Sequence, residues 1–558
     1  VTTAFSSESA SPSEGKKIPR SVALTGAIVL AALYVRIWFG VDLTDESFYA
    51  ALPLELALGL RPFVDERSVS QGFLTVLPVK LFVAARGSTD GLVLLLRHVH
   101  VAALLATGVA VFSFLSARTS RAVALGGALV VATFVPFSIP APSYNTVASL
   151  ALCAGALLAA DASRVARPGA LLVAAVLAHA VAALAYPPLI LACVASLVLG
   201  ARAVARERPR PLAWRTLALA GAVALALVVA TAALLLATGR ADLARCLEHA
   251  AALGSGAALR DAPTLGGAVL LLVRRLRPAM MLASALLVAA SIGSPRVMGR
   301  LWPLAGVPVA LGAATCVVCW KNQPLGHGVP TLLGLGAVPW AVGVRRLPLP
   351  RDLRDPWLVS LVGSFTTTAS STNGFLNTCV GLLPAFVVGI AALAPRSSRH
   401  AEGAAASLVL MAAAQVGFFY GYVYLDEPIF ALSARVGGGP WHGIWTTPDR
   451  AELVEMLRAD MEDQVRAGAR TIFAYDDMPW ALLVTPKLRP AGPTAWIHPS
   501  QPRARSLEAL DLAGRPMPDV VVRSRATSRG PDDPLDALVE SAGFRVILRR
   551  PEYDILRK

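Results

Sequence analysis

The chain has 558 residues, of which 55% are hydrophobic and only 16% charged, with a mean hydropathy of +0.59. A soluble protein of this length cannot hide that much apolar surface from water, so lipid is expected to solvate most of it. The net charge of +15 does not indicate nucleic acid, because the arginines sit in short loops between apolar stretches, where they act as topology signals.

In chain order, residues 1–20 read as a disordered cytoplasmic leader, rich in Ser, Glu and Pro before Lys16. No cleavable signal peptide is evident, since the first apolar stretch has the length of a true span and no small-residue cleavage site follows it. Apolar stretches then recur at 21–41, 91–116, 121–140, 145–161, 169–186, 188–201, 216–238, 268–293, 301–319, 328–344, 357–372, 376–394 and 402–424. Such stretches suit helices crossing roughly 30 Å of hydrocarbon, and their continuous apolarity excludes the alternating strands of a barrel. Within 264–293, Arg274, Arg275 and Arg277 interrupt the run, so its first part reads equally as an interfacial segment.

Every second connection carries basic residues: Lys16, Lys17 and Arg20; Arg118 and Arg121; Arg164 and Arg167; Arg202 through to Arg215; Arg296 and Arg300; Arg345 to Arg354; Arg396 and Arg399. By the positive-inside rule these are cytoplasmic, and the alternate connections and the tail lie outside. The expected fold is therefore an all-α polytopic membrane protein, with about thirteen transmembrane helices over 21–424. Beyond residue 424 the hydropathy drops. A helix at 449–467, strands at 470–475 and 519–523, a helix at 533–541 and a strand at 544–549 predict a small extracytoplasmic α/β domain over 425–558.

Six cysteines are scattered, with none in the tail, which implies neither a disulfide framework nor a zinc site. Cys316 and Cys319 form a CxxC inside an apolar helix, where packing is the better reading than redox chemistry. The domain over 425–558 contains neither GxGxxG nor a P-loop, so a soluble nucleotide-sugar site and an ATP motor have no support.

The first outside loop, 42–90, contains two helix-like stretches, 46–59 and 69–85, predicted to lie on the membrane surface. It opens with Asp42-Leu-Thr-Asp45-Glu46-Ser-Phe-Tyr49. Adjacent carboxylates beside lipid are costly and need a reason. One is activation of an acceptor hydroxyl by a general base or with metal assistance. The other is a helix N-terminus, with Thr44 as N-cap and Asp45 and Glu46 in the first turn. Both readings stand together.

This loop resembles the GT-C glycosyltransferases that use polyprenyl-phosphate sugars, the group related to protein O-mannosyltransferases and the lipid A aminoarabinose transferase. Asp45-Glu46-Ser47-Phe48-Tyr49 fits their Asp-Glu-x-x-Tyr after the first span. Gly59-Leu-Arg61-Pro62-Phe63-Val-Asp65-Glu66 fits their Gly-x-x-Pro-Phe/Tyr-x-Asp segment, Gln71 and Lys80 match the turn and basic residue of the second surface helix, and Tyr144-Asn145 matches a Tyr-Asn opening the fourth span. The resemblance covers the N-terminal 150 residues best; the remainder agrees in span pattern and outside tail.

The resemblance implies a GT-C-like enzyme of the bacterial plasma (inner) membrane, N-terminus cytoplasmic, moving a sugar from a polyprenyl-phosphate donor to a cell-envelope acceptor (glycan, lipid or protein) on the extracytoplasmic face. The catalytic carboxylates would be Asp45 and Glu46, with Tyr49, Asp65, Glu66, Gln71, Lys80, Tyr144, Asn145, Lys321 and Asn373 binding substrate. Cations should converge on the departing phosphate. Lys80, Arg61, Arg67, Lys321 and His327 are candidates, each equally readable as a snorkelling surface charge. Asp65 and Glu66 serve either as a second acidic element or as the solvated end of a surface helix. Asn373 either bonds a sugar or makes the turn that Asn-Gly favours. Trp441, His442 and Trp445 read as a sugar-stacking platform or as an interfacial anchor.

His98 and His100 fall on different helix faces, which argues against a shared metal. No cofactor is predicted; a divalent cation stays open but unsupported, for lack of a DxD or a His/carboxylate cluster. The implied partners are the lipid-linked donor, the acceptor and the bilayer, with no nucleic acid. The alternative function is a polytopic transporter or lipid-linked-sugar flippase without transferase activity, which predicts broken helices and ionisable residues near midmembrane. An envelope-polymer ligase would be organised around a large later loop, and an oligosaccharide-transferring relative would carry a motif such as Trp-Trp-Asp in the tail.

Overall fold

The computed structural model describes residues 18–65, 72–253, 349–370, 377–393, 398–491, 496–497, 517–526 and 533–558. Helices dominate. They are α1 (Arg20–Arg36), α2 (Asp45–Ala57), α3 (Gly72–Arg86), α4 (Leu92–Ser116), α5 (Arg121–Ala132), α6 (Tyr144–Asp161), α7 (Pro168–Ala185), α8 (Ile190–Glu207), α9 (Arg210–Thr238), α10 (Arg240–Leu253), α11 (Arg351–Ser370), α12 (Thr378–Leu393) and α13 (Ser398–Gly421). Six described segments are long and apolar enough to cross a membrane: Leu92–Ser116, Tyr144–Asp161, Pro168–Ala185, Pro187–Glu207, Arg210–Thr238 and Ala401–Gly421. The apolar helices α5 and α12 are shorter. The expected spans at 268–293, 301–319 and 328–344, with Cys316 and Cys319, lie outside the described residues.

Local chemistry sets the helix starts. Ser143 and Thr146 form a reciprocal capping box at α6, and Ser120 accepts from the Val123 N–H at α5, satisfying amides that lipid cannot. Helix α6 packs against α4, α7, α8, α11 and α12. Small residues permit the closest approaches: a Cβ on Gly381 of α12 would lie 2.2 Å from the Ser364 backbone nitrogen on α11. Such contacts are the main source of helix association where no hydrophobic driving force acts between helices.

The tail adds α14 (Pro448–Arg466), α15 (Trp480–Val484) and α16 (Pro534–Ser541), with strands β1 (Ala434–Arg435), β2 (Trp445–Thr446), β3 (Thr471–Tyr475), β4 (Arg489–Pro490), β5 (Trp496–Ile497), β6 (Val520–Ser524), β7 (Arg545–Arg549) and β8 (Tyr553–Arg557). In the main sheet the order is β4-β3-β6-β8-β7, with β5 also on β3. β3 runs parallel to β4, β5 and β6, while β8 is antiparallel to β6 and β7. Thr447 caps α14 and Asp533 caps α16.

The first loop and the tail are joined. Gly40 N–H donates to Trp445 O at 2.8 Å, Trp445 N–H to Trp38 O at 2.8 Å, Gly91 N–H to Gly439 O at 3.0 Å and Val93 N–H to Pro440 O at 3.0 Å. Val41, Ala50, Leu54, Leu92 and Leu96 share a core with Trp441, Val454, Leu483 and Val520. In consequence α2 is not laid open on a surface. Glu46, Ser47 and Tyr49 through to Glu55 are all buried, because the tail covers the side that the sequence leaves to water.

Candidate active site

The site is assembled where α1 ends. Gly40 turns the chain with φ 86°, and a Cβ there would stand 2.2 Å from Val423 Cγ1, so only glycine fits the turn. Two buried arginines hold the turn in place. Arg36 Nε donates to Phe419 O at 2.7 Å and its Nη1 to Phe39 O at 2.5 Å. Arg97, on α4, donates to Ile37 O at 2.7 Å, Phe39 O at 3.1 Å and Gly40 O at 2.6 Å.

The remaining donors of Arg97 form a fork on Glu46, at 2.7 and 2.6 Å. Both side chains are almost wholly enclosed, at 2% and 1% exposure. A bidentate guanidinium and carboxylate of this kind is strong and geometrically fixed, so Glu46 is held in the scaffold.

Asp42, also buried, prepares the helix that follows. Its carboxylate accepts from Thr44 N–H, Thr44 Oγ1 and Glu46 N–H, each at 2.8 Å. Thr44 does stand at the N-cap position, but its side chain makes no cap bond; the capping oxygens come from Asp42 instead. Burial, with the charges of Asp45 and Glu46 beside it, pushes the Asp42 carboxyl up to about 7.

Asp45 differs from both neighbours. It is half-buried as the first residue of α2, and the phenol of Tyr424 donates to its Oδ2 at 2.6 Å. Burial, and then the Asp45 charge, pushes the Tyr424 phenol far up, so it stays a proton donor to the carboxylate throughout the physiological range.

A wall of tyrosines continues from this pair. Tyr49 meets Tyr144 edge to face at 5.8 Å, and Tyr144 meets Tyr186 at 5.6 Å. Phe137 and Ser138 hold left-handed backbone at φ 59° and 58°, a strain of about 1–3 kcal/mol each, in the loop whose Ile139 and Ala141 pack with Tyr49. Tyr186 Oη accepts from Asn377 Nδ2 at 3.3 Å and lies 3.2 Å from Ser370 Oγ. Asn145 and Asn377 are both buried, and the amide oxygen of each lacks a hydrogen-bond partner among the described residues. Buried acceptors in that state favour a ligand that brings hydroxyl donors.

Other sequence candidates are placed elsewhere. Asp65 lies beyond the far end of α2, in a turn where it accepts from Arg61 N–H at 2.8 Å and pairs with the Arg61 guanidinium at 3.1 and 3.0 Å. Lys80 is exposed on α3. Glu66, Arg67, Gln71, Lys321, His327 and Asn373 are outside the described residues. His98 Nε2 is 3.0 Å from Tyr34 Oη, whereas His100 is buried and its ring nitrogens have no partner among the described residues. Trp441 is completely buried and offers no stacking face, which removes it from the proposed platform. Trp445 is 37% exposed, and His442 is exposed with Nδ1 at 2.7 Å from Gly437 O. Among the described residues no group of three His, Cys, Asp or Glu is placed to hold a metal.

No family model matches the chain, and no curated protein does. Among solved structures, the apo crystal structure of ArnT from Cupriavidus metallidurans is similar at 16% identity, over 96% of this chain and 97% of that one, with a TM-score of 0.41. A likeness of that degree assigns no chemistry to this chain.

Sequence reasoning passed over Arg97, Tyr186, Asn377 and Tyr424. Arg97 carries a legible signal, since an arginine within an apolar stretch needs a buried partner. Tyr424 carries none, being 379 residues from the carboxylate it meets.

Proposed function

We propose that the chain is a membrane glycosyltransferase of the GT-C type, with about thirteen spans, a cytoplasmic N-terminus and an extracytoplasmic tail. The observation that carries this reading is the separation of roles among three adjacent acids. Asp42 caps a helix, Glu46 is sealed against Arg97, and Asp45 is half-buried, with a tyrosine hydroxyl on one oxygen. The order of motifs in the first loop supports the same reading.

In the proposed reaction, Asp45 accepts the proton of an acceptor hydroxyl as that oxygen bonds to the anomeric carbon of a polyprenyl-phosphate sugar. The bond from that carbon to the phosphate oxygen breaks, and the lipid phosphate leaves with the electron pair. Tyr144 supplies an aromatic face for the sugar ring, with Tyr49 packed behind it, and Asn145 and Asn377 accept its hydroxyls. Arg36 and Arg97 are committed to backbone carbonyls and Glu46, so charge on the leaving phosphate is met by another cation.

The test is transfer from a panel of radiolabelled polyprenyl-phosphate sugars in membranes containing wild type or Asp45→Asn. A general base contributes about 10²–10⁴-fold, so the variant should lose at least about a hundredfold while eluting from detergent chromatography as wild type does. Undiminished transfer by Asp45→Asn would remove Asp45 from the mechanism.

A further inference from the structure

At the end of α6 remote from Tyr144 a second polar region opens, and it belongs to none of the chemistry above. A cavity of about 150 Å³ lies between the ends of α6 and α8 and the start of α11. A cavity of roughly that volume accommodates a group the size of benzene. Ala156, Ala159, Leu199 and Val359 line it with carbon, and Ser196 with a hydroxyl; Arg202, Arg206 and Arg351 also line it. The three arginines are exposed.

Of the three acids that line this cavity, exposed Glu207 is in no ion pair among the described residues and two are taken. Asp352 pairs with Arg118 at 2.8 Å and with Arg164 at 2.9 Å, and Asp355 pairs with Arg354 at 3.0 Å. Among the described residues Arg202, Arg206 and Arg351 have no carboxylate partner within salt-bridge distance, which leaves the cavity mouth with a surplus of guanidinium. The positive-inside rule accounts for arginines on this face, but a topology signal needs only charge. It requires neither a cavity nor a carbon-lined wall leading in from the guanidinium groups.

We propose that this cavity binds the phosphate group of an anionic lipid, with the arginines forking the phosphate oxygens and the alanine and leucine wall taking the first carbons of the lipid. Guanidinium matches phosphate geometry in two-pronged fashion, and basic pockets between membrane helices are a recurring form of lipid headgroup site. Close packing fixes the wall: a Cβ on Gly200 would stand 3.0 Å from both Ala159 Cβ and Ala159 O, so α6 and α8 approach closely beside the cavity. This site is independent of the reading of Asp45.

The test uses the full chain in phosphatidylcholine nanodiscs, titrated separately with short-chain phosphatidic acid and with inorganic phosphate by calorimetry. Saturable binding of the phosphatidic acid is expected, weakened roughly tenfold by Arg202→Gln/Arg351→Gln and unchanged by Arg210→Gln/Arg215→Gln, which remove charge from α9 outside the cavity. Ala203→Leu, which fills the cavity without touching its charge, should also weaken it and serves if the arginine variant does not fold. Equal weakening by the α9 pair would reduce the effect to general surface charge and overturn the proposal. Inorganic phosphate binding as tightly as the lipid would make the occupant a soluble phosphate and overturn the lipid assignment.

Discussion

The two ends of α6, about 27 Å apart at 1.5 Å per residue, use charge in different ways. Near Tyr144, acids cluster and the buried arginines are consumed: Arg97 seals Glu46, and the phenol of Tyr424 donates to Asp45. Near Asp161, arginines predominate. Arg118 bridges Asp161 at 2.6 Å and Asp352 at 2.8 Å, with its guanidinium 3.6 Å from the centre of the Phe114 ring, and further arginines border an open cavity. The contrast teaches which groups are structural. A charge with both prongs matched is part of the scaffold, since breaking a buried pair leaves an uncompensated ion. Asp45, by contrast, is half-buried where Glu46 is sealed.

The contrast breaks first at Arg97. Arg97→Met strands Glu46 and the carbonyls of Ile37 and Gly40, and should cost about 3–5 kcal/mol, read as loss of the monodisperse detergent peak. At the other end, Arg118→Met leaves Asp352 with Arg164 but strips Asp161, so a smaller loss of about 2 kcal/mol is expected by thermal unfolding, with transfer per folded molecule unchanged. Tyr424→Phe sharpens the comparison within the outer end. It removes one charge-assisted bond from Asp45 and should lower transfer roughly tenfold with little change in melting temperature.

The last effect concerns pH. Asp42 titrates at about 7 in the folded chain against 3.8 ordinarily, so between those values the folded state holds a proton that the unfolded chain has released. Stability from this group therefore falls as pH rises from about 4 through about 7. Asp42→Asn should flatten that slope in melting temperature between pH 5 and 8, and an unchanged slope would assign it to other groups.

Much of the helical layout is legible because apolarity is continuous and lipid requires backbone bonds within each segment. The stretch at 145–161 is α6, and the elements at 449–467, 470–475 and 519–523 match α14, β3 and β6 within a residue or so. What escapes is tertiary. The burial of α2 depends on Trp441, Val454 and Leu483, which lie hundreds of residues further on, so its sequence alone reads as a surface helix. Residue type points to Thr44 as the cap, whereas an aspartate two positions earlier takes the Thr44 and Glu46 amides. Asp45 and Glu46 are indistinguishable as neighbours in a string; only the positions of Arg97 and Tyr424 separate them.

The most direct measurement of that separation is transfer and thermal unfolding of Asp45→Asn and Glu46→Gln, made side by side on purified protein. The account predicts opposite profiles: Asp45→Asn folds with near wild-type stability and is inactive, while Glu46→Gln is destabilised, with transfer per folded molecule largely retained. An active, stable Asp45→Asn beside a stable, inactive Glu46→Gln would contradict it and transfer the chemistry to Glu46.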